Sequence, residues 1–276
     1  MRSFNDVFGV LAQGYATALG LTAQRPLPDG HPATAELAAL RGLRSTGGAW
    51  DPPALGRTAA AMEHAALLCH AAGIPLGLGR PMPPMGPLWP AFVPRLRSKE
   101  RFLDTMAEVQ TWLILEDHGL KPRPVEGAGM ADFLVGDGVP VENKVLHKAD
   151  PDRIADHVAK AVQQVEATGA PGILFLNVGD DLALAERRES GRPLQPWVEA
   201  ALRRALEEPG AAAIDRTYLT WRWATRTTEP AQERFAVHRR YKLVRAPRAM
   251  RTKVPNAFAD WMVEIGWKPF PKPRFA

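Results

Sequence analysis

The stretch MADFLVGDGVPVENKVL, residues 130–146, decides the fold predicted for this chain. Two runs rich in valine, leucine and phenylalanine flank Gly136-Asp137-Gly138, a turn sequence that allows the backbone to reverse tightly. The pattern predicts two antiparallel strands, at residues 130–135 and 139–146, joined as a hairpin.

The pairing within this hairpin gathers ionisable residues on one face. With the turn centred on Asp137, Asp132 lies opposite Glu142, and their Cβ atoms are expected about 5 Å apart. Lys144 follows Glu142 by two residues and therefore projects from the same face. Two facing carboxylates repel each other, and folding alone gives no reason to place them together. A divalent cation such as Mg²⁺ or Mn²⁺ would remove the repulsion, because these ions prefer oxygen ligands.

The other face of the hairpin is mostly apolar and is expected to pack on a helix. Its members are Phe133, Val135, Val139, Val141, Asn143 and Val145. Since a shift of one residue would exchange the two faces, burial of this face fixes the register and leaves the polar patch on the opposite side.

Helices and strands alternate around the hairpin. The sequence predicts a helix at 99–118, a short edge strand at 121–126, a helix at 152–168 and a strand at 172–178, followed by a helix at 196–208 and strands at 217–224 and 235–244. The run at 172–178 is apolar apart from Asn177, as expected of a strand buried on both faces. The order helix, three strands, helix, strand predicts an α/β fold with a mixed central sheet flanked by helices.

The first 95 residues have a different character, rich in alanine, glycine, leucine and proline. Periodic apolar residues predict helices at 5–19, 33–43 and 55–72. Residues 80–90 contain so many prolines that they predict an extended connector. The sequence therefore predicts two domains: a mainly helical one at 1–95, ending in the proline-rich linker, and an α/β one at 96–276.

Composition narrows the class of protein. The net charge of +5 is compatible with a polyanionic partner. The single cysteine, Cys69, excludes an internal disulfide and a cysteine-rich zinc site. No apolar run approaches the length of a membrane span, and the first residues lack the pattern of a signal peptide. We therefore expect no membrane association and a cytoplasmic location.

The residues of the hairpin resemble a known family, the PD-(D/E)XK nuclease superfamily. Its motif is an Asp on the second core strand and Glu-x-Lys on the third, matched here by Asp132 and by Glu142-Asn143-Lys144. The resemblance implies a restriction-endonuclease-like core of αβββαβ order, with Asp132 and Glu142 as ligands of Mg²⁺ or Mn²⁺ and Lys144 as the catalytic lysine. Ala131 stands where many members have the proline.

The resemblance also implies helical contributions to the site. Many members carry a metal-binding Glu on the helix before the first core strand, and Glu108 is the best match by position, with Glu116 as the fallback. Several members carry a Gln on the helix after the Glu-x-Lys strand. Gln163 and Gln164 both fit that description, and Lys160 precedes Gln164 by one helical turn. A solvated helix face accounts for both glutamines somewhat better than a role in the site.

A basic strand is predicted near the C-terminal end of the α/β domain. Charged and apolar residues alternate along residues 234–245, which places Arg240 and Lys242 on one face. Such a face suits a phosphate backbone. A solvated sheet edge protected by charge explains the same pattern.

Together these features predict a Mg²⁺-dependent endonuclease that hydrolyses phosphodiester bonds in nucleic acid, DNA rather than RNA, in a defence, toxin or repair setting. The alternative is a non-catalytic nucleic-acid-binding or interaction protein that retains the nuclease fold. In that case Glu142 and Lys144 form only a same-face ion pair, worth less than about 1 kcal/mol at a surface. The N-terminal domain is expected to bind a partner protein or a second copy of the chain.

Overall fold

A mixed β-sheet carries the hairpin in the computed structural model of the chain. The structure describes residues 4–42, 52–76, 82–125, 127, 129–147, 150–178, 196–229, 232–245, 254, 258 and 261–267. The strands are β1 (Arg123–Pro124), β2 (Phe133–Val135), β3 (Val139–Leu146), β4 (Gly172–Val178), β5 (Ile214–Glu229), β6 (Gln232–Arg245) and β7 (Trp261–Trp267). They follow one another across the sheet in chain order. β1, β2 and β3 pair antiparallel, whereas β3, β4 and β5 pair parallel.

The helices are α1 (Phe4–Ala18), α2 (Pro32–Gly42), α3 (Pro52–Ala71), α4 (Trp89–Leu96), α5 (Phe102–Asp117), α6 (Pro151–Ala167) and α7 (Pro196–Glu207), with 3₁₀ turns at Gly86–Leu88 and Pro209–Ala213. These elements confirm the predicted α/β class with a mixed sheet. None of the helices in the described ranges is long and apolar enough to cross a membrane.

The chain divides into two units. The helical unit comprises Met1–Phe102 together with Ala224–His238 and Met262–Ala276. The sheet unit comprises Leu103–Trp223 and Arg239–Trp261. The division into domains at residue 95 stays a prediction.

The hairpin has the predicted register. Phe133 pairs with Val141 and Val135 pairs with Val139. The turn uses glycines where the backbone needs positive φ, at Gly136 (φ 52°) and Gly138 (φ 101°). The Gly138 amide donates to the Val135 carbonyl at 3.1 Å and closes the turn. β2 is shorter than predicted, because regular pairing begins at Phe133.

Each face of the hairpin meets a different helix. On one face, Phe133 packs edge-on against Trp112 of α5, with ring centroids 5.3 Å apart, which confirms the predicted helix packing. On the other face, Leu146 joins a core formed by the apolar residues of α6, α7 and the neighbouring strands. Asp150 caps α6, since its side chain accepts from the Asp152 amide at 3.0 Å.

The prediction of an extended connector at 80–90 is wrong for its second half. Residues 86–96 form a 3₁₀ turn followed by α4, while residues 77–81 lie outside the described ranges. Pro90 lies in the first turn of α4, where a helix loses no internal hydrogen bond to proline. Phe92 and Leu96 are buried, so packing stabilises a helix that the proline content argued against.

Candidate active site

Glu142 is the most deeply buried acidic residue of the hairpin. It lies on β3 directly beside Leu174 of β4, and only 1% of the residue is exposed. Leu174 belongs to the apolar core between the sheet and α6. One oxygen of the Glu142 carboxylate, Oε2, has no hydrogen-bond partner among the described residues. A buried acceptor without a hydrogen-bond partner costs free energy. The fold therefore leaves the hydrogen-bonding capacity of this oxygen unused.

Lys144 binds the other carboxylate oxygen of Glu142. Its Nζ donates to Glu142 Oε1 and also to Oε1 of Gln164 on α6, the latter at 2.5 Å. The Gln164 amide in turn donates to the main-chain carbonyl of Met130 at 3.2 Å. The strand, the helix and the segment that leads into β2 are therefore linked through one ammonium group and one amide.

Glu142 has a strongly shifted pKa. Burial beside the apolar core is the largest cause, and the negative charge of Asp132 adds to it, so that the pKa of Glu142 is raised from 4.5 to about 8. The ammonium of Lys144 opposes this shift but does not cancel it. A titratable group shifted in this way within a cluster of charges is typical of functional sites.

Asp132 lies one position before β2, and its carboxylate is held by Asn143. The Asn143 main-chain amide donates to Asp132 Oδ2 at 2.8 Å, and the Asn143 side-chain amide donates to the same oxygen at 3.2 Å. The observed pairing ends with Phe133 opposite Val141, one residue short of Asp132 and Glu142, so their direct opposition stays a prediction. The charge of Asp132 also acts on Glu142, which places the two carboxylates near each other.

The two glutamates of α5 differ in burial. Glu108 is buried, with 7% of the residue exposed, and lies one helical turn before Thr111, whose hydroxyl reaches Asn143. Glu116 is half-buried near the end of the helix. Within the described ranges, no group of three or more His, Cys, Asp or Glu residues is placed to hold a metal ion. The metal-binding role of Glu108 therefore stays a prediction.

The structure separates the two glutamines that the sequence left as alternatives. Gln164 contacts Lys144, whereas Gln163 is exposed on α6 and Lys160, one turn earlier, is exposed as well. His157 is half-buried on the same helix. Burial lowers the pKa of His157, and the positive charges of Lys144 and Lys160 lower it further, which places its ring near both lysines.

The two basic residues predicted on β6, Arg240 and Lys242, differ in solvent exposure. Arg240 is half-buried. Lys242 is exposed, and its ammonium forms an ion pair with Glu199 of α7, which also binds Arg203 at 2.7 Å. The predicted contact of Arg240 and Lys242 with nucleic acid stays a prediction, and for Lys242 it requires competition with a carboxylate already in place.

Asn143 and Thr111 are the members of the site that the sequence analysis did not identify. The Thr111 hydroxyl donates to Asn143 Oδ1 at 2.5 Å, and the Asn143 amide continues to Asp132. A signal was present, because Asn143 is the one polar residue among the apolar positions of its hairpin face. Thr111 gives no comparable signal, since its contact depends on how α5 docks on the sheet.

The residues present fit a small divalent cation. Two carboxylates lie close together, and one of them offers a buried oxygen that lacks a partner in the described part of the chain. Mg²⁺ is commonly held by one or two carboxylates and completes its shell with water and substrate oxygens. Asp132 and Glu142 are the residues that would hold such an ion.

Comparison of the chain with protein-family models, with curated proteins and with solved structures gave no match.

Proposed function

We propose that this chain is a divalent-metal-dependent nuclease of the PD-(D/E)XK type that hydrolyses phosphodiester bonds in DNA. The observation that carries the proposal is Glu142. It is a buried carboxylate with one oxygen on Lys144, one oxygen without a partner in the described ranges, and a second carboxylate beside it. The order α5, β1, β2, β3, α6, β4 supports a restriction-endonuclease-like core, because it is the αβββαβ order of that fold.

Each residue of the site has a separate task in this proposal. Asp132 and Glu142 would hold the ion, which when bound would neutralise charge on the scissile phosphate and lower the pKa of the attacking water. Lys144 Nζ uses two of its N–H groups on Glu142 and Gln164, which leaves the third to orient a water molecule or a phosphate oxygen. Its positive charge stabilises the extra negative charge of the transition state.

Gln164 fixes the direction of Lys144 in this mechanism. Its oxygen accepts from the ammonium, while its amide nitrogen is anchored on Met130. Because both ends are engaged, the long lysine side chain is held in one geometry before substrate arrives, which lowers the entropic cost of positioning it. Lys160 lies exposed one turn before Gln164 and is available to contact the phosphate backbone.

Nicking of a supercoiled plasmid tests the proposal. We expect the wild type to cut in the presence of Mg²⁺ or Mn²⁺ and not in EDTA. Asp132→Ala, Glu142→Ala and Lys144→Ala should each slow cutting by about 1000-fold, the upper end of what loss of one stabilising group costs. Asp137→Ala is the matched control, because Asp137 is an exposed aspartate on the turn of the same hairpin, and it should cut at the wild-type rate.

Two outcomes would contradict the nuclease proposal. One is the absence of cleavage of duplex DNA, single-stranded DNA and RNA with either ion, from a folded protein. The other is cleavage that survives all three alanine substitutions, which would assign the activity elsewhere. Metal-independent binding of nucleic acid without cleavage would favour the non-catalytic alternative.

A further inference from the structure

Asn143 and Thr111 are two polar residues buried where the hairpin packs on α5. Thr111 is 1% exposed and Asn143 is 9% exposed. Their strand neighbours on this face, Val141 and Val145, are apolar. A buried amide costs free energy unless it is hydrogen-bonded, and a valine at position 143 would serve packing equally well. The presence of the pair therefore calls for an explanation beyond the packing of the sheet.

The hydrogen bonds of this pair lead to Asp132. The Asn143 main-chain and side-chain amides converge on a single oxygen, Asp132 Oδ2, at 2.8 and 3.2 Å. Two donors on one oxygen restrict rotation of the carboxylate. The main-chain carbonyl of Asp132 accepts from the Val125 amide at 3.2 Å, so the backbone is held separately and the Asn143 donors act on the side chain.

Thr111 holds the end of the Asn143 amide that faces away from Asp132. The Thr111 hydroxyl donates to Asn143 Oδ1 at 2.5 Å, so the nitrogen Nδ2 is turned toward the carboxylate. A reversed amide would place an oxygen against the Asp132 carboxylate, and the two would repel. The carboxylate, which only accepts, therefore sets the orientation of the Asn143 amide, and the Thr111 hydroxyl anchors the amide in that orientation through Oδ1.

We infer that Asn143, anchored by Thr111, is a positioning residue that sets the direction of the Asp132 carboxylate and thereby the affinity of the site for its divalent ion. The inference rests on the proposed function, since it takes Asp132 as a ligand. Residues that orient metal ligands typically change metal affinity by about 10- to 100-fold when they are lost. The main-chain donor to Asp132 remains in any side-chain variant, which places the expected effect at the lower end.

The test is the dissociation constant for Mn²⁺, measured on the intact chain by electron paramagnetic resonance. Asn143→Ala and Thr111→Val should each weaken Mn²⁺ binding by about 10-fold. Thr111→Ser keeps the hydroxyl and should stay within about 2-fold of the wild type, because the donor that anchors Asn143 is retained. The Mn²⁺ midpoint of plasmid nicking should move by the same factor as the binding constant, with the rate recovering at saturating Mn²⁺.

Thr105→Val is the matched control. Thr105 is buried on the same helix, and its hydroxyl has no hydrogen-bond partner among the described residues, so the same substitution removes a hydroxyl with no link to Asp132. Its Mn²⁺ affinity should equal that of the wild type. If Asn143→Ala does not fold, the comparison of Thr111→Val with Thr111→Ser and Thr105→Val decides the question alone.

The outcomes distinguish this inference from the proposed function. Equal Mn²⁺ affinity of Thr111→Val, Thr111→Ser and the wild type would overturn the positioning role and leave the nuclease proposal standing. A wild type that binds no Mn²⁺ at millimolar concentration would overturn the metal-dependent function and the positioning role with it. Loss of affinity in Thr105→Val to the same extent as in Thr111→Val would show a general effect of helix packing and would also overturn the role.

Discussion

Each of the two units contains a carboxylate that is largely shielded from solvent, and the two differ in how their oxygens are used. Glu36 of α2, in the helical unit, accepts from Tyr15 of α1 at Oε2 and contacts His64 Nδ1 of α3 at Oε1, 2.9 Å away. Both oxygens are occupied, and one side chain links three helices. Glu142, in the sheet unit, has Lys144 on Oε1 and no partner for Oε2 in the described part of the chain.

The difference separates a carboxylate that serves the fold from one that is available to a ligand. A fully satisfied buried network holds its elements in one arrangement and has little to gain from a further ligand. An unsatisfied buried oxygen destabilises the folded state, and binding of a cation to that oxygen offsets the cost. The charge of Asp132 also distinguishes Glu142 from Glu36, because it adds negative charge at the place where a cation would bind.

The largest effect expected from this comparison is on cleavage. Glu142→Gln keeps the shape of the side chain but removes the charged ligand, and it should slow plasmid nicking by about 1000-fold. Glu36→Gln is the same change at the satisfied carboxylate and should leave the rate per folded molecule within about 2-fold, because Glu36 lies in the network that joins α1, α2 and α3 and has no task in the reaction. Nicking rates of the two variants at equal concentrations of folded protein check both expectations.

Equal loss of cleavage in Glu36→Gln and Glu142→Gln would break the comparison, because it would mean that either carboxylate supports activity only through the fold. Circular dichroism of each variant at the assay temperature gives the folded fraction needed for the rates. Full activity of Glu142→Gln would contradict the role of Glu142 as a ligand.

The next effect is on the pH dependence of stability in the absence of divalent ions. The folded-state pKa of Glu142 is raised to about 8, above the value of 4.5 that applies to the unfolded chain. Its contribution to stability is therefore complete below pH 4.5 and is lost as the pH rises toward 8. Glu142→Gln does not titrate, so at pH 8 its free energy of unfolding should exceed that of the wild type by up to about 4 kcal/mol, whereas near pH 4.5 the two should be equal.

Urea unfolding at several pH values between 4.5 and 8 measures this difference. If the difference in the free energy of unfolding between wild type and Glu142→Gln is the same at every pH, then burial does not raise the pKa of Glu142 and this expectation is wrong. Mn²⁺ adds a second readout, because an ion that binds only the folded state should stabilise the wild type and not the variant.

The third effect is on the stability of the helical unit. Glu36→Ala removes the acceptor that Tyr15 and His64 share and should lower the free energy of unfolding by about 2 kcal/mol, the cost of breaking a buried hydrogen-bonded group. Thermal unfolding followed by circular dichroism measures the change. Ala35→Gly, at an exposed position of α2, provides a control for helix propensity and should cost about 1 kcal/mol. An equal loss in the two variants would show that the Glu36 network contributes little.

Much of the sheet could be predicted because its signals are local. The turn at Asp137 fixed the hairpin register, and the largely apolar run at Gly172–Val178 marked β4 with its correct bounds. The helix α4 could not be predicted, since its prolines argue for an extended chain and only the burial of Phe92 and Leu96 reverses that argument. β7 was not predicted at all.

The candidate site divides in the same way. Glu142 and Lys144 could be placed together because residues two apart on a strand share a face. The choice between Gln163 and Gln164 could not be made, since adjacent helix residues differ only in the rotation of α6 against the sheet. The link from Thr111 through Asn143 to Asp132 joins α5 to the hairpin, and the Glu36 network joins three helices. Neither is visible in any local pattern.

The smallest effect comes from converting one kind of carboxylate into the other. Tyr15→Phe removes the donor to Glu36 Oε2 and leaves the contact with His64, so that Glu36 acquires the arrangement that Glu142 has. The Glu36 side chain is 12% exposed, which lets water replace part of the lost bond, so the variant should lose only about 1 kcal/mol of stability.

The same variant tests whether an unpartnered oxygen is sufficient for an ion. Glu36 has the His64 ring against one oxygen, whereas Glu142 has the negative charge of Asp132 acting on it, and a single carboxylate is a weak ligand for a divalent cation. Tyr15→Phe should therefore gain no second Mn²⁺ site in an electron paramagnetic resonance titration, with the wild type as reference. A second site with affinity similar to the first would show that the unpartnered oxygen alone determines binding, and that the pairing of Asp132 with Glu142 is not what distinguishes the two carboxylates.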